Sequence, residues 1–311
     1  MPNNNPPLVS IIIRTVRPEL LGRAIDSVIS QTYPNLEIII INDGQKNMDH
    51  LIKHYQQQVK HSELRRKITY IKNTRNVGRP AAANIGLEAA TGDYIGFLDD
   101  DDYHYAEHVS THIQKLQAQK RQVSISKAFE SVEELRKKHY VEIEKKYNYP
   151  DKINKLAYYF FENYFPFNTI IFHKSLLSKT GMIDPDLQVL EDWDFIIRLI
   201  LESEPIIINK VTTVFTTRYG SSNIRMDASH KQTWKQTFSR VQKKYNRYYK
   251  NSQVAIPIDE VADYLNQHTA HWYHLVKENE ELRDSYAFKL YHSKIYRLAK
   301  KLGRKLKLTR G

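Results

Sequence analysis

Apolar and polar positions fall into two alternating patterns along the first hundred residues. Leu8–Arg14 (LVSIIIR) is a short, β-branched run, the pattern of a strand covered on both faces. Pro18 and Glu19 then open a helix: proline suits the first turn, and a carboxylate suits the positive end of the helix dipole. Leu21, Ala24, Ile25 and Val28 give that helix one apolar face. Asn35–Ile41 predicts a second buried strand, closed by Asn42-Asp43-Gly44. A polar helix follows to about Lys60, and Lys67–Ile71 predicts a third strand. Arg79–Ala90 is alanine-rich and helical until Thr91-Gly92 breaks it. Asp93–Leu98 predicts a fourth strand, running straight into Asp99-Asp100-Asp101-Asp102. Repeated strand–helix units with short loops predict an α/β fold with a doubly wound, mostly parallel sheet.

Beyond residue 102 the pattern is less regular. Glu130–Lys146 is strongly charged and reads as a helix with a solvated face. Thr169–His173 predicts a strand, Glu191–Leu201 an amphipathic helix with Trp193, Ile196, Ile197 and Ile200 inward, and Val211–Thr217 a last, edge strand. From about Ala228 the pattern is helical to the end. The expected organisation is a catalytic domain over 1–225, with a nucleotide-binding part at about 8–102 and an acceptor side at about 103–225. A basic helical appendage follows over 226–311.

Charge sharpens that division. Residues 231–311 hold 18 of the 47 basic and 7 of the 35 acidic residues, leaving 29 against 28 for the rest. Residues 287–311 carry nine basic residues and no acidic one. There Phe288, Tyr291, Ile295, Leu298 and Leu302 recur at helical spacing. A basic amphipathic helix of this kind either lies on an anionic membrane surface or packs on its own chain. No nucleic-acid partner is expected, because the charge is terminal and no recognition fold accompanies it. The absence of cysteine excludes disulfides, thiolate zinc sites and cysteine nucleophiles, and fits a reducing compartment. The amino terminus lacks the pattern of a signal peptide, and no apolar run approaches the ~20 residues needed to span a bilayer. The expected location is cytoplasmic, with the basic tail allowing peripheral attachment at the inner face of the cell membrane.

Ligands of parallel sheets collect at the carboxyl ends of the strands. Three polar clusters are expected there: Thr15–Arg17, Asn42-Asp43-Gly44 and Asp99–Asp102. Four adjacent carboxylates repel one another, and a hard divalent cation such as Mn²⁺ or Mg²⁺ removes the repulsion. The alternative is a solvated acidic loop that caps the next helix. Asp43 is either a turn residue or an acceptor for a base N–H or a ribose hydroxyl. The acids of Glu191-Asp192-Trp193-Asp194 either cap a helix or supply a general base, with Trp193 as an apolar wall.

These segments occur in a known order. Val9–Ile13, Ala24–Val28 with Gln31-Thr32-Tyr33-Pro34, Glu37–Gly44, Asn76-Val77-Gly78 with Asn84-Ile85-Gly86, Ala90–Ile95, Phe97–Asp102 and Glu191–Asp194 resemble family 2 glycosyltransferases. The resemblance covers about residues 8–202 and implies a GT-A fold and an inverting transfer. It implies a nucleotide-sugar donor, a UDP-sugar being favoured; the expected acceptor is a glycan, or a lipid-linked glycan as in surface-polysaccharide assembly if the basic tail docks on a membrane. It gives Thr15, Arg17, Asp43, Asn76, Arg79, Asn84, Asp99 and Asp100 donor-side roles. Asp101, with Asp99, becomes the metal ligand and Asp192 the general base, with Glu191 and Trp193 on the acceptor side.

Two departures stand out. Ala83 occupies the place where members commonly carry arginine before Asn84, and Arg79 is the candidate substitute. A late histidine that completes the metal shell in some relatives has no counterpart near Arg218-Tyr219-Gly220, with His230 a weak candidate. The chain lacks a Gln-x-x-Arg-Trp segment, which favours transfer of one sugar over polymerisation. The rival readings are an inactive scaffold of the same fold and a sugar nucleotidyltransferase. The latter would want a glycine-rich phosphate loop where Thr15-Val16-Arg17-Pro18 stands.

Overall fold

Strand β1 (Val9–Thr15) has every residue buried, and β2 (Asn35–Asn42) all but its first. Two buried faces require helices on both sides, and the chain supplies them. On one face Ile11, Ile13, Ile38 and Ile40 pack with Leu21, Ile25 and Val28 of α1 (Pro18–Ile29) and with Ile52 and Tyr55 of α2 (Asp49–Lys60). Val109, Ile113 and Leu116 of α4 (His108–Gln119) join the same cluster. Each fully buried side chain of this size contributes about 1.5–3 kcal/mol relative to exposure. On the other face lies α3 (Arg79–Ala89), seated so closely that a Cβ on Gly86 would run into the Ile12 side chain. A computed structural model gives this architecture for residues 5–44, 46–137, 139–147, 163, 165–219 and 228–246.

β1 is flanked in parallel by β2 and by β4 (Tyr94–Asp99), and β3 (Arg65–Lys72) pairs in parallel with β2. The predicted parallel half is therefore present. The registers Thr15↔Asn42 and Arg14↔Asp99 bring the carboxyl ends of three strands level. Past β4 the sheet becomes mixed. Its order is β3-β2-β1-β4-β8-β6-β9-β5. Here β5 is Tyr103–His104, β6 Val123–Arg136, β8 Ile170–His173 and β9 Ile206–Tyr219. β8 is antiparallel to both β4 and β6, whereas β6 and β9 are parallel.

Two expectations fail here. Glu130–Lys146 is not a helix: its residues form the end of β6 and the whole of β7 (His139–Lys146), an antiparallel hairpin. Glutamate, lysine and leucine favour helix locally, but Lys127–Glu134 find ladder partners in Val211–Tyr219, and tertiary pairing overrides propensity. Nor is β9 an edge strand. It runs from Ile206 to Tyr219 between β6 and β5, because β5 pairs Tyr103 with Val214.

The second half holds a buried column of histidines that the sequence pattern did not announce. His104, His108 and His112 recur every fourth residue and are all buried. Ring centroids lie 3.8 Å apart for the first pair, stacked nearly parallel at 5°, and 4.5 Å apart for the second. Each Nδ1 has a hydroxyl partner: Thr213 at 3.0 Å, Thr212 at 2.7 Å and Ser124 at 2.7 Å. Burial drives His104 and His112 down to about 3 and His108 well below its ordinary value. The column is neutral.

Helix α5 (Leu177–Thr180) is a single turn, and α6 (Glu191–Glu202) turns Trp193, Ile196, Ile197 and Ile200 inward as expected. The chain divides into two compact units, residues 1–149 with 165–223 and residues 150–164 with 224–311. In the second unit, α7 (Ala228–Asn246) buries Phe238, Val241 and Tyr245, and His230 falls within it. The basic amphipathic segment over 287–311 lies outside the described residues.

Candidate active site

Arg14 is the only charge in β1, and the register places it beside Asp99. A buried guanidinium must be paired. Its Nη2 donates to Asp99 Oδ1 at 2.7 Å, and its Nη1 to Glu191 Oε1 at 3.3 Å and to the Arg79 carbonyl at 3.2 Å. Arg79, the first residue of α3, closes the group with Nε 3.2 Å from the same Glu191 oxygen. Arg14 is not among the residues expected at the site; the signal in the sequence is an arginine near the end of an otherwise uncharged, buried strand.

The acidic loop is neutralised piece by piece. Thr15 Oγ1 donates to Asp100 Oδ2 at 2.7 Å, while Arg17 Nη2 bridges Asp100 at 3.0 Å and Asp101 at 3.1 Å. Thr15 Oγ1 also accepts the Arg17 amide, so the Thr15–Arg17 turn and the acids define one another. Asp102 points away from this face. Its oxygens accept from the Thr216 amide at 2.8 Å and Asn168 Nδ2 at 2.9 Å, anchoring the loop to β9 and to the 3₁₀ turn Phe167–Thr169.

These surroundings separate the protonation behaviour of the acids. Burial alone would raise Asp99, but Arg14 and then Arg79 hold it below the usual carboxylate range. Burial and the neighbouring Asp101 charge push Asp100 up against the pull of Arg17, and Asp102 is pushed well up by burial, Asp101 and Asp99. Burial also raises Glu191, opposed by Arg79 and reinforced by Asp192. Arg79 is held more firmly protonated by Glu191 above all, and Asp99, Asp192 and Asp101 act on it in the same sense. Arg79 thus lies within electrostatic reach of both the acidic loop and Asp192.

Several expected roles change once the contacts are known. Glu191 and Trp193 are each 1% exposed, so neither presents a surface to an acceptor. Glu191 is drawn in by two arginines, and Trp193 belongs to the apolar face of α6. Asn84 is committed elsewhere: its Nδ2 donates to the Ile183 carbonyl at 2.8 Å and its Oδ1 accepts the Ile183 amide at 2.9 Å. Asp43 holds a loop, accepting from Asn73 Nδ2, the Val77 amide and the Gly78 amide at 2.8, 2.8 and 3.0 Å. Asn76 Oδ1 takes the same Gly78 amide at 3.1 Å, and Gly78 has φ +88°, a left-handed conformation natural to glycine. Asp43 and Asn76 therefore shape the segment that leads into Arg79. Asp192 stands at the start of α6, where its Oδ1 accepts the Trp193 amide at 2.8 Å. Leu190, just before the helix, adopts φ 59°, a corner that costs a non-glycine residue about 1–3 kcal/mol and brings Glu191 up against Arg14 and Arg79.

Asp99 and Asp101 have side chains 35% and 19% exposed, against 6% for Asp100. They are the oxygen donors that a hard cation could reach. Among the described residues no group of three or more His, Asp or Glu side chains converges on one point. The donor set fits a cation that takes most of its ligands from phosphate and water, the usual situation of Mg²⁺.

Residues 10–181 match the family model described as Glycosyl transferase family 2. A putative colanic acid biosynthesis glycosyl transferase from Escherichia coli K12 is 30% identical over 227 residues, spanning 71% of this chain and 76% of that protein. Glycosyltransferase GlyA from Streptococcus pneumoniae is 36% identical over 97 residues, 31% of this chain. The chain spans only 13% of that larger protein. The crystal structure of S. aureus TarS 1–349 in complex with UDP-GlcNAc superposes with a TM-score of 0.60 at 18% identity, covering 84% of this chain and 72% of that one. At that identity the likeness shows the fold, which is the α/β GT-A type.

Proposed function

Because the chain belongs to glycosyl transferase family 2, we propose that it transfers a single sugar from a nucleotide diphosphate donor, a UDP-sugar, to an acceptor hydroxyl, with inversion at the anomeric carbon. The setting is assembly of a surface polysaccharide or glycolipid, a reading supported by the E. coli relative, whose name places it in colanic acid biosynthesis. The observation that carries the reading is the connected group at the carboxyl ends of β1 and β4 and the start of α6. Arg14 and Arg79 join the acidic loop to Glu191, the residue beside Asp192.

The chain's residues divide the work. Asp192 accepts the proton of the attacking hydroxyl. The hydroxyl oxygen bonds to the anomeric carbon as the bond from that carbon to the diphosphate breaks, and the nucleoside diphosphate leaves. Asp43 and Asn76 hold the Asn73–Gly78 segment against the nucleotide, and Arg17 and Arg79 face the diphosphate with their positive charge. Asp101, with Asp99, would hold a Mn²⁺ or Mg²⁺ ion. When bound, that ion neutralises charge developing on the leaving diphosphate. Among the described residues no helix is long and apolar enough to cross a membrane. A lipid-linked acceptor would be met through the basic 287–311 segment at an anionic surface.

The test is a panel of UDP-sugars and free UDP, with and without Mn²⁺, on the wild-type chain, Asp101→Ala and Asp192→Asn. Metal-dependent UDP binding lost in Asp101→Ala, with binding kept and turnover lost in Asp192→Asn, supports the assignment. A chain that binds no nucleoside diphosphate under any metal condition refutes it and leaves a scaffold of the same fold.

A further inference from the structure

Behind the acidic loop lies a buried layer of charge. Arg218 Nη1 donates to Asp101 Oδ2 at 2.6 Å, and its Nη2 lies 2.8 Å from Glu133 Oε2. Glu133 Oε1 in turn receives Arg23 Nη1 at 2.6 Å. Arg23 returns to the loop, donating through Nη2 to the Asp101 carbonyl and, at 3.0 Å, to Thr216 Oγ1. The ring Asp101–Arg218–Glu133–Arg23–Asp101 is closed. Its inner members are rigidly placed, since Arg218 and Glu133 are 2% and 4% exposed and stand opposite one another in the parallel β6–β9 register.

The ring has a consequence for a cation. Asp101 Oδ2 receives two guanidinium groups, Arg218 at 2.6 Å and Arg17 at 3.1 Å. Most of the negative charge of that carboxylate is therefore already answered by fixed positive charge. Only its other oxygen stands outside the guanidinium pairs. A dication approaching this side chain alone meets two like charges, whereas one arriving with a diphosphate brings its own anionic ligands.

Resting on the metal assignment above, we propose that Arg218, anchored by Glu133, is a positioning residue that shares Asp101 with the divalent cation. Its charge keeps the bare site weak for metal and makes firm cation binding conditional on the nucleoside diphosphate. Metal and donor are thereby coupled by the protein, and the cation enters and leaves with the nucleotide. No covalent step is involved, and the coupling is electrostatic.

Calorimetric titration of Mn²⁺ with and without UDP tests this on the full chain, for the wild type, Arg218→Met, Arg218→Lys and Glu133→Gln. In wild type, UDP should strengthen Mn²⁺ binding markedly. Arg218→Met should bind Mn²⁺ alone about tenfold or more tightly than wild type, since a unit charge beside a dication is worth at least that factor, and should shrink the UDP-induced gain. Arg218→Lys keeps the charge and should restore most of the wild-type behaviour. Glu133→Gln leaves the arginines less compensated and should move Mn²⁺ affinity the opposite way, weakening it several-fold. That variant decides the matter if Arg218→Met fails to fold. Unchanged or weaker Mn²⁺ binding in folded Arg218→Met, or unchanged binding in Glu133→Gln, overturns the sharing while leaving the metal assignment standing. A wild-type chain that binds UDP but no Mn²⁺ overturns both.

Discussion

The histidine column makes the fold acid-sensitive in a calculable way. His112 is wholly buried, its Nε2 has no hydrogen-bond partner, and its pKa falls from 6.5 to about 3 in the folded chain. A histidine whose folded pKa is depressed is protonated first in the unfolded chain. Its contribution to stability is complete above about pH 6.5, shrinks as pH falls below that, and stops changing near pH 3. Between those limits one such histidine tilts stability by about 1.4 kcal/mol per pH unit, so moving from pH 7 to pH 5 costs about 2 kcal/mol. His104 behaves alike, with a value of about 3 from the same cause. The perturbation is His112→Asn, which keeps a polar group near Ser124 but cannot titrate. Urea unfolding followed by circular dichroism, at pH 7 and pH 5, gives the stability difference for each chain. The wild-type loss on acidification should exceed the variant's by about 2 kcal/mol. Equal losses would refute the argument, because the histidine would then not be neutral in the folded state.

Three further outcomes follow from particular contacts. Asp192→Asn should lower kcat by roughly 10²–10⁴-fold with UDP affinity unchanged, measured by single-turnover kinetics beside calorimetry. Arg14→Met leaves Glu191 with Arg79 alone and removes the closest partner of Asp99, so urea denaturation should show a loss of roughly 3–5 kcal/mol. Glu37 accepts from Ser10 Oγ at 2.5 Å and from Thr91 Oγ1 and the Gly92 amide at 2.8 and 3.0 Å, which together overcome the burial that would raise it and leave its carboxyl low. That stabilisation is present above the ordinary glutamate range and lost as pH falls through the folded value. Glu37→Gln should therefore cost about 2 kcal/mol at pH 7 and flatten the acid limb of the stability curve.

The parallel half of the sheet and the acidic loop were legible in the chain because their information is local. A run such as Leu36–Ile41 is a buried strand wherever it lies, and Asp99–Asp102 after a strand is a cluster of repelling charge in any packing. Pro18 at a helix start and Thr91-Gly92 at a strand entry likewise act through near neighbours. Glu130–Lys146 departs from its local pattern for the opposite reason. Its residues favour helix by themselves; Glu130–Glu134 become strand on the ladder that β9 offers some eighty residues later, and His139–Lys146 then pair back on β6.

By itself the sequence determined the type of fold, the family and the strand ends at which polar groups would gather. Tertiary structure decided which charges meet there. Arg14 and Glu191 are 177 residues apart, and Asp101 and Arg218 are 117 apart. Nothing in spacing or composition pairs them, since a salt bridge depends on distances of a few ångströms that only strand register and helix placement bring about. The same holds for what was taken away: Asn84, Glu191 and Trp193 have the residue types of a binding surface, but packing turned each toward the protein.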